Sequence, residues 1–326
     1  MSCEPSLAPI FIGGTGRSGT TILKKVIRCH SQLFGLDQEL RILIDPGGAL
    51  DVVRALTDCW SPYAADRAIH DFIDIANACA RKFPAEGALR KGFIRAGISP
   101  PRYTGVQIAD PVGSSMYSEI FKRFVMRAVH GVSEGFWAGS PPIRIRPKIY
   151  ETEPVDRQTA NTWVQETFTA LYAALAQRSN LSDVRYWVDD TPYNILAARE
   201  LFDVFPGMTL LHIRRDPRDV VASHMTKAWG GNDTARTARR VKAVLSRWRE
   251  IKPKLPSDSV FEISLEELAE DRRAVLVPLC ERLGIAYESR FETVSLQKVN
   301  EGRWQKDLSP RDAEAVSEIL SEFIPK

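Results

Sequence analysis

The chain has 326 residues, of which 44% are hydrophobic and 26% are charged. This composition is typical of a folded globular protein and excludes an intrinsically disordered chain. The 44 lysines and arginines exceed the 41 aspartates and glutamates by a net charge of only +3. That excess is too small to indicate nucleic acid or a membrane surface as a partner.

The cysteines and the hydrophobic runs favour a soluble, cytoplasmic protein. The five cysteines are an odd number and include no C-x-x-C pair, a pattern that fits neither a disulfide framework nor a zinc site. The first nine residues lack a basic segment followed by an apolar run, so no signal peptide is predicted. Uninterrupted apolar runs are far shorter than the ~20 residues that a bilayer span needs. We therefore expect a cytoplasmic protein with no membrane span and no structural metal.

Predicted strands and helices alternate along the chain. A short apolar run at 9–12 breaks into a glycine-rich turn at 13–21, and a helical pattern follows. The same order returns later, where predicted strands at 184–188 and 208–213 each lead through a turn into a helix, the first at about 194–205. A further strand is predicted at 260–263. This alternation predicts an α/β fold of three layers, with a central parallel sheet flanked by helices as in P-loop proteins.

Residues 45–150 interrupt the alternation. They carry helical patterns at 51–59, 64–82 and 114–130, separated by glycine and proline clusters, and they show no clear buried strand. We interpret them as a mostly helical insertion within a single domain that spans residues 1–326. Insertions over the carboxyl edge of a sheet commonly shape a substrate pocket, and we expect this one to do so.

The glycine-rich turn is the strongest functional signal. The backbone N–H groups of such a turn, with a helix N-terminus behind them, form a site for an anion. In the phosphate-binding pattern G-x-x-x-x-G-K-[ST], Gly14 and Gly19 hold the glycine positions and Thr21 holds the hydroxyl position. Thr20 stands where that pattern has lysine, and Arg17 supplies a cation inside the loop. The turn therefore predicts a site for a terminal phosphate that does not require Mg²⁺; the alternative is a tight turn with incidental glycines.

A second signal follows the strand at 208–213. Arg215 lies at the end of that strand, and Ser223 lies two turns into the helix that Pro217 opens. Both side chains can face one crevice, and an arginine with a hydroxyl is a suitable pair for a phosphate. A strand-end arginine also serves as a local cap or ion-pair partner, so this motif gains its weight from the glycine-rich loop in the same chain.

Together the two motifs resemble those of the sulfotransferases that use 3′-phosphoadenosine 5′-phosphosulfate (PAPS). The first reads Gly-x-x-Arg-Ser-Gly-Thr-Thr after the first strand, and the second reads Arg-x-x-x-x-x-x-x-Ser after a later strand. In that family the first motif binds the 5′-phosphosulfate and the second binds the 3′-phosphate. The resemblance covers about 9–41, 184–250 and 260–310, and its motifs are most similar to those of tyrosylprotein sulfotransferases and related bacterial sulfotransferases.

The resemblance implies a set of donor-binding residues. Those at the 5′ end are the six loop residues Gly16, Arg17, Ser18, Gly19, Thr20 and Thr21. Those implied in later segments are Arg215, Ser223, Lys227, Ser295, Arg303 and Lys306. Arg215 and Ser223 belong to the 3′-phosphate, and Lys227 adds a second cation there. Ser295 lies in a stretch at 293–298 that is similar to tyrosylprotein sulfotransferases, and the last two lie in a segment similar to the C-terminus of cytosolic sulfotransferases.

The resemblance also implies a reaction: in-line transfer of a sulfuryl group from PAPS, which leaves 3′-phosphoadenosine 5′-phosphate (PAP). Cations must stabilise the leaving phosphate, and a base must accept the acceptor proton. Arg17 is the implied cation. Glu39, in a Glu-x-Arg sequence like that of tyrosylprotein sulfotransferases, is the first candidate for the base. Asp190 or its neighbour Asp189 is the second, at a turn where many relatives have a lysine that contacts the leaving group, and His30 is the third.

The motifs do not identify the acceptor. The aromatic residues of the insertion favour a pocket for a small molecule or a sugar, so we expect a small-molecule or carbohydrate hydroxyl, with peptide tyrosine as the alternative. From other classes, a P-loop kinase and a non-catalytic nucleotide-binding module are the alternatives, although Thr20 at the lysine position argues against a kinase. A homodimer is compatible with the sequence. Lys24 and Lys25, on the first helix, are expected to face solvent.

Overall fold

The computed structural model of the protein describes residues 7–80, 96, 106–137, 147–227, 231–296 and 301–325. The chain forms two compact units. We call the first, Met1–Gly35 with Asp183–Lys326, the sheet unit, and the second, Leu36–Ser182, the helical unit. Among the described residues, no helix combines the length and the hydropathy that crossing a bilayer requires.

A five-stranded parallel sheet forms the centre of the sheet unit. In chain order its strands are β1 (Ala8–Gly13), β2 (Leu33–Phe34), β5 (Tyr186–Asp189), β6 (Thr209–Arg214) and β7 (Val260–Ser264). They lie side by side in the order β2-β5-β1-β6-β7, and every pairing is parallel. The central parallel sheet predicted from the sequence is confirmed. Because β1 lies between β5 and β6, the carboxyl ends of these three strands meet at one edge of the sheet.

Helices cover both faces of the sheet. Those of the sheet unit are α1 (Thr20–Ile27), α8 (Ala198–Val204), α9 (Pro217–Met225), α10 (Thr234–Ile251), α11 (Leu265–Glu270), α12 (Arg272–Leu283), α13 (Trp304–Asp307) and α14 (Pro310–Ile319). Alternate residues of β1 point to opposite faces. Ile10 and Ile12 belong to a buried cluster with Leu23 of α1. Phe11 instead packs against Trp187 at 5.2 Å and Phe205 at 5.5 Å between ring centroids.

The turn after β5 is tighter than the sequence pattern suggests. The helix predicted at about 194–205 begins as a 3₁₀ turn at Pro192–Ile195 and continues as α8. The carboxylate of Asp189 accepts hydrogen bonds from the amide and hydroxyl of Thr191 and from the side-chain amide of Asn194. Asn194 also donates to the carbonyl of Ile12 at 3.0 Å. These bonds hold the turn against the end of β1.

The helical unit contains most of the remaining elements. They are α2 (Arg41–Ile44), α3 (Ala49–Leu56), α4 (Pro62–Ala80), α5 (Ala109–Val112), α6 (Ser114–Ala128), the antiparallel strands β3 (Gly131–Glu134) and β4 (Lys148–Glu151), and α7 (Arg157–Arg178). Its core is aromatic: Phe72 of α4 lies 4.8 Å from Phe124 of α6, and Phe121 of α6 lies 6.1 Å from Phe168 of α7, between ring centroids. The predicted insertion at 45–150 lies within this unit.

Candidate anion-binding site at the carboxyl edge of the sheet

The glycine-rich loop connects β1 to α1 in an unusual backbone conformation. Gly16, Arg17 and Gly19 all have positive φ, at 72°, 60° and 108°. Among the described residues other than glycine, only Arg17 and Asn180 do so. A left-handed non-glycine residue costs roughly 1–3 kcal/mol and often marks a functional site. Backbone N–H groups in such turns form a concave surface that binds anions.

Ser18 places its hydroxyl inside the loop. A Cβ atom built on Gly14 would lie 2.2 Å from Ser18 Oγ and 2.9 Å from the carbonyl oxygen of Ile213, so this position requires glycine. Ser18 is 1% exposed, and its Oγ has no hydrogen-bond partner among the described residues. A buried hydroxyl without a partner costs about 1–3 kcal/mol. An anion in the loop would provide the missing partner.

The structure brings the two predicted motifs together. The Nε atom of Arg17 donates to Ser223 Oγ at 3.2 Å, and Nη1 of Arg215 donates to the carbonyl of Arg17 at 3.3 Å. This proximity follows from the strand order, because β6, which ends beside Arg215, is the neighbour of β1. Two cationic side chains therefore converge at the carboxyl edge, one from each motif.

Asp219 is a site residue that the sequence analysis missed. It is fully buried on α9, and one of its carboxylate oxygens lies 3.6 Å from Nη2 of Arg215. The carboxylate also accepts hydrogen bonds from the amides of Gly302 at 2.9 Å and Trp304 at 3.0 Å. Asp219 thus joins the second motif to the predicted C-terminal donor segment. The available signal was a carboxylate in the first turn of the helix that follows Arg215.

The charges at this edge perturb one another. Burial lowers the pKa of Arg215, and the nearby positive charges of Arg303 and Arg17 lower it further, against the opposing effect of Asp219. Arg303 therefore belongs to the same electrostatic site, although its side chain also pairs with Asp307. Burial raises the pKa of Asp219. A site where burial and several cations penalise positive charge favours an anionic ligand.

The remaining predicted donor residues have less defined surroundings. Thr20 is buried at the start of α1, whereas Thr21, Ser295 and Lys306 are exposed. Lys227 is partly buried just after α9. Residues 297 and 298, which complete the stretch similar to tyrosylprotein sulfotransferases, lie outside the described residues. The contacts of these side chains with a donor stay predictions.

His224 is a second residue that the sequence analysis missed. It lies on α9 directly under the loop, where a Cβ built on Gly16 would be 3.9 Å from its ring. Burial lowers the pKa of His224 to about 4, and the positive charges of Arg240 and Arg17 contribute. The imidazole is therefore neutral at pH 7 and adds no positive charge beneath the loop.

Asp190 is buried in an ion pair that the sequence analysis did not anticipate. Its Oδ1 atom lies 2.5 Å from Nζ of Lys24, and the two side chains are 0% and 2% exposed. The expectation that Lys24 faces solvent is wrong, because its side chain lies on the inner face of α1, where Asp190 provides a counter-charge. A long lysine side chain can bury its methylene groups and still bring its ammonium to a partner. Lys25 is exposed, as expected.

The other candidates for a base have structural partners. His30 is 3% exposed; its Nδ1 accepts from the amide of Gln32 at 3.0 Å, and its Nε2 lies 2.8 Å from the carbonyl of Ala286. An imidazole that accepts at Nδ1 donates at Nε2, so both ring nitrogens are engaged. Glu39 lies just before α2 in the helical unit and pairs with Arg41. Its part in catalysis stays a prediction.

The aromatic residues of the insertion divide into core and surface. Phe72, Tyr117, Phe121 and Phe124 are buried, and Trp60 and Trp137 are half-buried. Tyr63 and Phe136 are 41% and 72% exposed. Phe93 and Tyr103 lie outside the described residues. The described residues contain no group of three or more histidines, cysteines, aspartates or glutamates that could hold a metal ion.

One family model and two solved structures are similar to this chain. Residues 141–289 match the model of the Sulfotransferase family, a segment that includes β5, β6 and the second motif. The structure resembles the sulfotransferase domain from the Synechococcus PCC 7002 olefin synthase, with 14% identity over 99% of this chain and 97% of that chain and a TM-score of 0.50. It also resembles the sulfotransferase domain from the curacin biosynthetic pathway, with 14% identity over 99% of this chain and 100% of that chain and a TM-score of 0.50.

At such low identity the two solved structures establish the fold, and the family match is independent of them. No curated protein matches the sequence. The family match over residues 141–289 and the fold confirm the resemblance predicted from the sequence.

Proposed function

We propose that this protein transfers a sulfuryl group from PAPS to the hydroxyl of a small-molecule or carbohydrate acceptor. The observation that carries the proposal is that the two predicted phosphate-binding motifs converge in one unit. Arg17 of the loop donates to Ser223 at 3.2 Å, and Arg215 donates to the backbone of Arg17 at 3.3 Å. PAPS carries anionic groups at both its 5′ and its 3′ positions, so it would use both motifs at once.

The loop suits the 5′ end of this donor. The buried Ser18 hydroxyl has no hydrogen-bond partner within the described part of the chain, and the backbone around Gly16 and Arg17 forms a turn suited to an anion. The bound donor would supply a sulfuryl group attached to a good phosphate leaving group. The loop amides and Arg17 would stabilise the negative charge that develops on that phosphate.

The second motif suits the 3′ end. Arg215 can bind phosphate oxygens through its guanidinium, which is the side chain best matched to such anions. Asp219 holds the guanidinium in place at 3.6 Å and fastens the C-terminal segment that carries Arg303 beside it. A phosphate at this position would also relieve the repulsion between the neighbouring arginines.

For the acceptor we propose a surface of the helical unit itself. Exposed Tyr63 and Phe136 offer aromatic surface for an apolar ring or a sugar face. Glu39 is our choice for the general base, which would take the proton of the acceptor hydroxyl. Its pairing with Arg41 would hold the carboxylate in a fixed orientation.

The test is a transfer assay with PAPS labelled in its sulfuryl group, in the presence of EDTA. The acceptor panel contains phenols, sterols, sugars and a tyrosine peptide. The proposal predicts a labelled small-molecule or carbohydrate product, no requirement for metal, and loss of product in Glu39→Gln. Label on the peptide alone would select the tyrosine alternative. Phosphoryl transfer from Mg-ATP would identify a kinase, and binding of PAPS without transfer to any acceptor would leave a nucleotide-binding module.

A further inference from the structure

The buried pair of Lys24 and Asp190 lies against the anion-binding loop. The turn that follows Asp190 contacts the loop directly, because the amide of Gly14 donates to the carbonyl of Pro192 at 2.7 Å. A Cβ built on Gly16 would also lie 4.0 Å from the ring of Pro192. The carboxylate that holds the Lys24 ammonium at 2.5 Å is therefore next to the loop in space, although far from it in sequence.

The helix geometry directs Lys24 towards the same loop. Lys24 follows Thr20 by four residues on α1, so both occupy one face of the helix, and both are buried. Side chains on an α-helix lean back towards its N-terminus. A lysine one turn below Thr20 thus extends its ammonium towards the position that the lysine of the usual phosphate-binding pattern would take.

Burial makes this cation suited to act on a bound anion. Arg17 is exposed to solvent, which screens its charge, whereas the Lys24 side chain is 2% exposed. Charges interact more strongly in a protein interior than in water. A buried ion pair adds little net stability compared with apolar residues of the same size, so fold stability alone does not account for the pair.

We propose that Lys24 is a phosphate-binding cation of the loop and that Asp190 is the positioning residue that holds its ammonium there. The inference rests on the proposed function and deepens it. It names the cation that takes the place of lysine at position 20, and it assigns Asp190 to orient Lys24 and not to take the acceptor proton. The ligand group recognised is the 5′-phosphate of the donor and of its product PAP.

Calorimetric titration with three nucleotides tests this assignment. PAP carries both phosphates, adenosine 5′-phosphate carries only the 5′ group, and adenosine 3′-phosphate carries only the 3′ group. Lys24→Met removes the ammonium and keeps much of the side-chain volume. Lys25→Met is the matched control, because Lys25 has the same charge on the same helix but is exposed.

Lys24→Met alone leaves Asp190 buried without a counter-charge, which can destabilise the fold. The second variant is therefore Lys24→Met with Asp190→Asn, which removes both charges. Its melting temperature is measured first. With the fold intact, any loss of affinity in this double variant comes from the missing cation and not from a buried unpaired carboxylate.

We expect the double variant to bind PAP and adenosine 5′-phosphate about 10- to 100-fold more weakly, which is the usual effect of one lost charge-assisted hydrogen bond. Its affinity for adenosine 3′-phosphate should match that of the wild type, and Lys25→Met should match the wild type for all three ligands. PAP affinity in the double variant equal to that of the wild type would overturn the inference and leave the pair a structural one. A wild-type protein that does not bind PAP would instead refute the proposed function, and this inference with it.

Discussion

Replacing Arg215 by methionine should weaken binding at the 3′ end of the proposed donor site and leave binding at its 5′ end unchanged. The guanidinium is 8% exposed and lies between the carbonyl of Arg17, at 3.3 Å, and the carboxylate of Asp219, at 3.6 Å. Burial and neighbouring cations already lower its pKa, so a further anion beside the guanidinium would favour its charged form. A phosphate that binds there gains a charge-assisted hydrogen bond and relieves part of that penalty.

The expected size follows from that single interaction. A hydrogen bond to a charged group contributes about 1.5–3 kcal/mol, which corresponds to a factor of about 10–150 in Kd. Arg215→Met should therefore weaken the binding of PAP and of adenosine 3′-phosphate by this factor. The affinity for adenosine 5′-phosphate should stay unchanged. Asp219 keeps its two backbone donors in the variant, so the fold should survive with a lower melting temperature.

The assay is calorimetric titration of wild type and variant with the three nucleotides. Arg214→Met is the matched control, because Arg214 is the adjacent residue and its side chain is exposed; its affinities should equal those of the wild type. Equal losses for adenosine 5′-phosphate and adenosine 3′-phosphate in Arg215→Met would show a general collapse of the site. No loss for adenosine 3′-phosphate would refute the assignment of Arg215 to the 3′ end.

Three further predictions concern the base, the loop and the histidine beneath it. Glu39→Gln should lower the rate of sulfuryl transfer by about 10²- to 10⁴-fold and leave the PAP affinity in a titration unchanged. The control is Asp45→Asn, which removes another partner of Arg41. An equal loss of transfer rate in Asp45→Asn would indicate a structural effect. Gly14→Ala should weaken PAP binding by more than about 10-fold and lower the melting temperature, because its Cβ would lie 2.2 Å from a side-chain oxygen. The control Gly207→Ala, whose Cβ would have no described atom within 4 Å, should change neither quantity. Wild-type PAP affinity and melting temperature in Gly14→Ala would contradict the loop geometry. Burial lowers the pKa of His224 to about 4, so the unfolded chain binds a proton before the folded one does, and stability should fall by about 3 kcal/mol as the pH drops from about 6.5 to about 4. In chemical denaturation at several pH values, the free energy of unfolding of His224→Gln should depend less on pH than that of the wild type. The same pH dependence in both proteins would exclude a contribution of His224.

The sequence predicted the parallel sheet and placed each motif at the carboxyl end of a strand, because both features depend on local patterns. A strand followed by a glycine-rich turn places Arg17 at the carboxyl edge, and a strand that ends beside Arg215 places it at the same edge. The sequence did not predict which strands are neighbours. In the observed order β5-β1-β6, the strands that precede the two motifs, β1 and β6, are adjacent, and this brings the motifs together.

The charged residues of the interior could not be predicted in the same way. Periodicity assigns a lysine to the solvent side of a helix, yet Lys24 is buried because Asp190 lies opposite it. That contact joins positions far apart in the chain, and no local pattern encodes it. The same reason hid the bonds between Asp219 and the segment at 302–304. Buried ionic contacts depend on tertiary packing, which composition and spacing do not determine.

The most direct test of the account is titration of the purified wild-type protein with PAP and with ATP, in the absence of metal. The two predicted phosphate-binding motifs converge in one unit, so we expect tight binding of PAP and much weaker binding of ATP, which lacks the 3′-phosphate. Adding Mg²⁺ should leave the PAP affinity unchanged. Indifference to PAP, or a preference for Mg-ATP, would contradict the sulfotransferase account and favour a kinase.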